Sequence, residues 1–177
     1  KLTDDKFPQA EIEAAGYHVV FTGQKTYNGV AIVSRHPIEA VQKNNPLFED
    51  EQQRIIAATI AGMRIICAYV PNGQALDSEK YPYKLSWLAA LRDWVKAEME
   101  GHPQLALLGD YNIAPDDRDV HDPTAWEGMN LVSPPERAAF QALIDLGLSD
   151  SFRQFEQPEK TFSWWDYRQL GFRLNKG

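Results

Sequence analysis

The sequence predicts a mixed α/β protein in which helices cover a β-sheet, and three observations carry that reading. Two β-rich runs, Arg54 to Ile60 and Met63 to Val70, are joined by the tight dipeptide Ala61-Gly62. A long amphipathic segment, Ser78 to Glu100, follows them. A further apolar run, Gln104-Leu105-Ala106-Leu107-Leu108, comes directly after it. A hairpin, a helix and another core strand in that order are most simply accommodated as layers.

In chain order, Lys1 to Gly16 reads as a polar, helical lead-in. Tyr17-His18-Val19-Val20-Phe21 and Gly29-Val30-Ala31-Ile32-Val33 read as strands, the second entered through the turn-like Tyr27-Asn28-Gly29. Pro71-Asn72-Gly73 ends the second hairpin strand. Within Ser78 to Glu100, Leu85, Leu88, Leu91, Val95 and Met99 recur at helical steps, with Trp87 and Trp94 beside them as core packing. Gly101 is a natural stop. Ser133-Pro134-Pro135-Glu136 is a capping box with Pro at the first helical position; it opens a helix carrying Phe140, Leu143, Ile144 and Leu146 and closed by Gly147. Thr161 to Tyr167 is aromatic and strand- or loop-like, and Asp116-Asp117-Arg118-Asp119 reads as a solvated loop.

At 177 residues the chain fits one domain, 1–177. A chain of that size can bury roughly 70% of its unfolded surface. No apolar run approaches the roughly 18 residues that suggest a membrane span, and no secretory leader is visible. Cys67 is the single cysteine. That suits a reducing, cytoplasmic setting, and its apolar neighbours make it a small buried hydrophobe rather than a nucleophile. The net charge of −7 argues against a non-specific polyanion binder, while leaving room for an acidic site with a local basic rim.

The chemistry concentrates at Gly109-Asp110-Tyr111-Asn112. The apolar run before it reads as a strand buried on both faces, so Asp110 and Asn112 emerge where a core strand reaches the surface. Strand alternation places both side chains on one side of the sheet. A carboxylate and an amide oxygen held together can bind a hard cation or orient a water on a phosphorus centre. A bare Asp-x-Asn also suits the opening of a turn.

The flanking motifs weigh against the turn. Gly109-Asp110-Tyr111-Asn112-Ile113-Ala114-Pro115 resembles the Gly-Asp-x-Asn segment of exonuclease III and related apurinic/apyrimidinic endonucleases. Ala68-Tyr69-Val70-Pro71-Asn72-Gly73 resembles their Tyr-x-Pro-Asn/Gln segment. Asn28 to Ile32, Glu136-Arg137, Asp150 to Arg153 and Thr161 to Arg168 match in the same order. Each motif is weak alone; the ordered set is specific and spans nearly the whole chain.

The resemblance implies a four-layer, DNase I-like sandwich of two mixed β-sheets packed face to face and flanked by helices. It implies a DNA-repair nuclease that hydrolyses phosphodiesters at abasic sites and 3′ ends of duplex DNA with Mg²⁺ or Mn²⁺, acting as a monomer off the membrane. By the same resemblance, Asp110 orients or deprotonates water and helps hold metal. Asn112 binds a phosphate oxygen or metal, and Tyr69 places its phenol at the phosphate. Tyr27, Arg54 and Asn72 match DNA-backbone contacts, and Phe162 and Trp164 match an aromatic wall for an extruded abasic sugar. On the residues alone, Arg54 equally suits a solvated strand edge, and Trp164 suits the core.

Motifs with which the family opens and closes find no match here. These are a strand carrying a metal-binding Glu, an Arg-x-Asp segment and a Ser-Asp-His motif; His18, His36, His102 and His121 sit in other contexts. The sequence is therefore expected to be the middle of such an enzyme, truncated at both ends, nearly inactive and poorly stable alone. Two alternatives are a same-fold phosphodiesterase for lipid or inositol phosphates, and a non-catalytic remnant that binds nucleic acid or protein.

Overall fold

The computed structural model describes residues 2–167 and 170–177. Lys1 of the lead-in and Arg168 of the Thr161 to Arg168 motif lie outside the described residues. The chain forms two compact units: Lys1–Pro71 with Trp87–Tyr111, and Asn72–Ser86 with Asn112–Gly177.

The first unit holds helix α1 (Gln9–Ala14), a β-sheet of β1 (His18–Thr22) and β2 (Val30–Ser34), and strands β3 (Ile38–Lys43), β4 (Ile55–Ile60), β5 (Met63–Tyr69) and β6 (Leu105–Asp110). It also takes the Trp87–Gly101 part of helix α2 (Lys80–Gly101). The small sheet is antiparallel; the larger has the order β3-β4-β5-β6, with β6 parallel to β5. The predicted hairpin is present: Ile60 faces Met63, and Ala61 and Gly62 take φ of 50° and 84°. Two left-handed residues in a two-residue loop match the twist of the flanking strands.

Alternation explains both faces of the larger sheet. Ile56 and Ala58 of β4, with Ile65 and Cys67 of β5, pack against Val20, Val30 and Ile32 of the small sheet. The residues between them, Ile55, Ala57, Ile66 and Ala68, point to the other face and are buried. Arg64 shares that face, and its Nε donates to Glu98 Oε2 of α2 at 2.5 Å. Leu88, Leu91, Trp94 and Val95 of α2 are buried, the tryptophans serving as core as predicted. Burial raises the Cys67 thiol pKa, against a smaller backbone hydrogen-bond effect from Ala31.

Two expectations are corrected, and one strand goes beyond them. Strand β3 was not legible, because its pattern is interrupted by a bulge. Ala40 and Val41 together stand opposite the single residue Ala58, with Ala40 at φ 47°. Strand β6 is not buried on both faces: Leu108 is 53% exposed, since β6 pairs with β5 alone among the described strands. The lead-in is helical only over Gln9–Ala14 and a single turn at Asp4–Lys6.

The second unit holds the first turns of α2, helices α3 (Pro123–Trp126), α4 (Pro134–Ile144) and α5 (Gly171–Leu174), and irregular chain. The capping box forms as predicted, with Ser133 and Glu136 bonded reciprocally. The acidic run is largely solvated, as expected, with one 3₁₀ turn over Asp117–Asp119, and each of its carboxylates meets a guanidinium. Asp116 pairs with Arg118 at 3.0 Å, Asp117 with Arg137 at 2.9 Å, and Asp119 with Arg153. Arg118 holds the Asp116 carboxyl below the usual range, first through its side-chain hydrogen bond.

Gly109 shows how closely β5 and β6 approach. It has φ 136°, and a Cβ there would lie 1.9 Å from the Ala68 carbonyl oxygen. Gly109→Ala is expected to lower stability by at least about 1–3 kcal/mol from backbone strain alone, read as a reduced urea midpoint.

Candidate active site

In the first unit, three predicted residues stand at one end of the larger sheet. Arg54 immediately precedes β4, Tyr69 ends β5 and Asp110 ends β6. The ladder sets them in a row. Tyr69 N–H donates to Arg54 O at 2.7 Å, Tyr69 stands opposite Asp110, and Val70 N–H donates to Asp110 O at 2.9 Å. Asp110 is exposed and Tyr69 half-buried.

Arg54 is not a solvated edge residue. Its guanidinium carbon lies 4.9 Å from the centre of the Tyr69 ring, and one terminal nitrogen donates to Tyr69 O at 3.2 Å. Its Nε donates to Gln52 Oε1 at 2.8 Å, which also accepts Asn28 Nδ2 at 3.1 Å. The planar fork, ring contact and hydrogen bonds suit Arg rather than Lys. Tyr27, next to Asn28, is 67% exposed. A cation, a phenol and a carboxylate thus share one sheet end.

The second unit brings together Asn72, Asn112 and a residue not predicted, Asn130. Asn72 Nδ2 donates to Asn112 Oδ1 at 3.1 Å. Asn130 Nδ2 donates to Asn72 O at 3.1 Å and to Asn72 Oδ1 at 3.2 Å. Strand alternation does not extend to Asn112, because β6 ends at Asp110 and Asn112 turns left-handed at φ 47°.

Lys84 and Glu136 lie in the same unit with fully buried side chains, their charges 2.5 Å apart. Glu136 was visible as the capping-box acid. Lys84 gave no signal, since a lysine on a helix ordinarily reads as solvated.

The aromatic stretch divides differently from the sequence expectation. Phe162 is buried at 9% exposure and Trp164 is 51% exposed, so the core residue is Phe162. Phe162 meets the edge of Trp165 at 6.5 Å, and Trp165 meets Phe172 at 5.1 Å.

Among the described residues, no three His, Cys, Asp or Glu side chains gather into a group able to hold a metal ion. Asp110 brings one carboxylate and Asn112 one neutral amide oxygen. By themselves these fall short of a site for a divalent cation, whose affinity follows ligand number and charge.

Residues 2–175 match the Endonuclease/Exonuclease/phosphatase family. The chain is 35% identical over 190 residues to exodeoxyribonuclease III of Haemophilus influenzae, across 100% of this chain and 71% of that protein. It is 28% identical to an exodeoxyribonuclease of Bacillus subtilis, across 94% of this chain and 69% of that protein. Its fold superposes on a 3′-5′ exonuclease, NExo, from Neisseria meningitidis with a TM-score of 0.97 and 49% identity, covering 100% of this chain and 70% of that one. An AP endonuclease from Archaeoglobus fulgidus superposes with a TM-score of 0.94 and 35% identity, covering 100% and 69%. The chain belongs to the endonuclease/exonuclease/phosphatase family. Its relatives there are exodeoxyribonuclease III enzymes, a type that depends on a divalent metal, and its two sheets with flanking helices are the fold of the AP endonucleases.

Glu136→Ala leaves the Lys84 ammonium buried without its counter-charge. It is expected to cost about 3–5 kcal/mol, measured by urea unfolding of the gene-encoded protein.

Proposed function

We propose that the protein is a DNA-repair nuclease of the exonuclease III type, hydrolysing phosphodiesters at 3′ ends and 5′ to abasic sites of duplex DNA. The observation that carries this reading is the strand-end row in which Tyr69 stands directly opposite Asp110. Phosphodiester hydrolysis needs an activated water, relief of phosphate charge and help for the leaving oxygen. Asp110, exposed at the end of β6, orients the water and accepts its proton. Tyr69 directs its phenol to a phosphate oxygen, and Arg54 supplies positive charge against the same ring. Asn112 donates to a phosphate oxygen; Asn72, Arg54 and Tyr27 contact the DNA backbone and position the duplex without reading its sequence. Trp164 offers an exposed face to the sugar at the site, with Phe162 packed as support.

Mg²⁺ or Mn²⁺ is the ion we propose, with Asp110 contributing an oxygen to a set that it does not complete by itself. The protein acts as a monomer. The greater identity to the Neisseria exonuclease, 49% against 35% for the archaeal AP endonuclease, supports 3′-end processing as the leading activity.

Two substrates test this in the gene-encoded protein: a duplex with a recessed 3′ end and a duplex with one abasic site, each with Mg²⁺. Shortening of the first and incision of the second are expected, with loss in EDTA and recovery on adding Mg²⁺ or Mn²⁺. Intact DNA together with cleavage of a phosphoinositide would overturn the assignment. Asp110→Asn is expected to lower the rate by at least about 100-fold, the scale of a lost acid–base group, with an unchanged circular-dichroism melt. A rate equal to wild type removes Asp110 from the chemistry. The chain is expected to bind Mg²⁺ weakly in calorimetry, since few charged ligands gather in it.

A further inference from the structure

A buried lysine of the second unit holds together the two loops that carry Asn72 and Asn112. Lys84 Nζ donates to Glu136 Oε1 at 2.5 Å, to Asn112 O at 2.5 Å and to Asn72 O at 3.1 Å. Glu136 is saturated in turn. Oε1 also accepts Leu131 N–H at 3.0 Å, and Oε2 accepts Ser133 N–H at 3.2 Å and Ser133 Oγ–H at 2.5 Å. Ser133 Oγ lies 2.6 Å from the Tyr81 hydroxyl. An ammonium has three protons to give, and here each has an acceptor.

Two of those acceptors are main-chain carbonyls of residues whose side chains bond each other. The orientation of both amides follows. Asn72 Oδ1 accepts Gln74 N–H at 3.0 Å and Asn130 Nδ2 at 3.2 Å, so Asn72 Nδ2 is turned to Asn112 Oδ1. With its oxygen turned to Asn72, Asn112 carries its donor end, Nδ2, on the other side of the amide. The backbone conformation that makes this possible is uncommon: Asn112 has φ 47° and Gln74 has φ 63°. Such conformations persist where their surroundings over-determine them. A pair kept for stability alone would serve no better than apolar filling of the same volume, since burying two charges is costly. What apolar filling cannot do is grip two carbonyls at once.

We propose that Lys84, oriented by Glu136, is a positioning residue for phosphodiester hydrolysis: it fixes the Asn72 and Asn112 loops so that the Asn72 amide holds the Asn112 amide in the orientation the phosphate requires. This rests on the nuclease reading for the roles of Asn72 and Asn112.

The test uses the gene-encoded protein as wild type, Lys84→Met, Glu136→Gln, Asn112→Ala and the double variant Lys84→Met/Asn112→Ala. A duplex with a recessed 3′ end serves as substrate. Lys84→Met is expected to lower kcat by about 100-fold, the scale of an ångström-level misplacement, with KM within a few-fold of wild type. In the Asn112→Ala background the same change is expected to cost less than about threefold, because the two act as one unit. Glu136→Gln keeps an acceptor for Lys84 and is the variant to read if Lys84→Met does not fold; it is expected to lower kcat with the same dependence on Asn112. Amide hydrogen exchange at residues 73–74 and 112–113 is expected to rise in the folded variants while exchange in β4 and β5 stays unchanged. Additive losses in the double variant, or a folded Lys84 or Glu136 variant with wild-type kcat and unaltered exchange in those loops, overturn the proposal. A wild type that leaves DNA intact overturns the nuclease reading instead. The exchange measurement then decides by itself whether the pair holds the loops.

Discussion

The parallel pairing of β5 with β6 is the constraint on which the arrangement of chemistry depends. Parallel strands need a long crossover, and here α2 supplies it between Tyr69 and Leu105. Because the strands run in the same direction, their carboxyl ends fall side by side, and Tyr69 meets Asp110. A one-residue slip would place a different pair there and turn every side chain of β6 to the other face. Gly109 helps hold this register, since only a residue without a side chain tolerates the Ala68 carbonyl at that distance. The Gly-Asp dipeptide therefore records a steric requirement followed by a chemical one.

Each unit handles a buried charge in its own way. In the first, Arg64 reaches Glu98 and Ala40 O, tying α2 to the sheet face. Trp94 Nε1 donates to the other Glu98 oxygen at 3.2 Å, so the carboxylate is held on both sides. In the second, Lys84 and Glu136 have no exposed side-chain surface and satisfy main-chain groups of irregular loops. Unpaired polar groups in such places are costly, and irregular chain has no ladder to satisfy them. The first pair secures regular elements against each other; the second gives a loop region the definition that a strand obtains from its neighbours.

Much of this was legible in the residues because local signals and burial agreed. The Ala61-Gly62 hairpin, the apolar face of α2 and the Ser133 capping box each state their structure within a few residues. Strand β3 did not, because one extra residue breaks its alternation. The exposure of Leu108 did not, because an apolar run has the same letters whether it lies inside a sheet or at its margin. Asp110, Asn112 and Tyr69 stood out through motif order, whereas Lys84 and Asn130 owe their places to partners far away in sequence. Phe162 and Trp164 show the same limit: two aromatics in one motif, one buried and one exposed, with nothing local to distinguish them.

The bulge in β3 bears on how the molecule behaves in company. Strand β3 is an outermost strand of its sheet, and an outermost strand offers a row of unmet donors and acceptors to any other chain. Ala40 and Val41 interrupt that row, and Arg64 fixes the interruption by holding the Ala40 carbonyl at 2.7 Å. A regular template would accept a foreign strand along its whole length. This one changes step midway, so an incoming strand in register with one half is out of register with the other. A buried arginine thereby shapes the margin that the sheet offers to other chains.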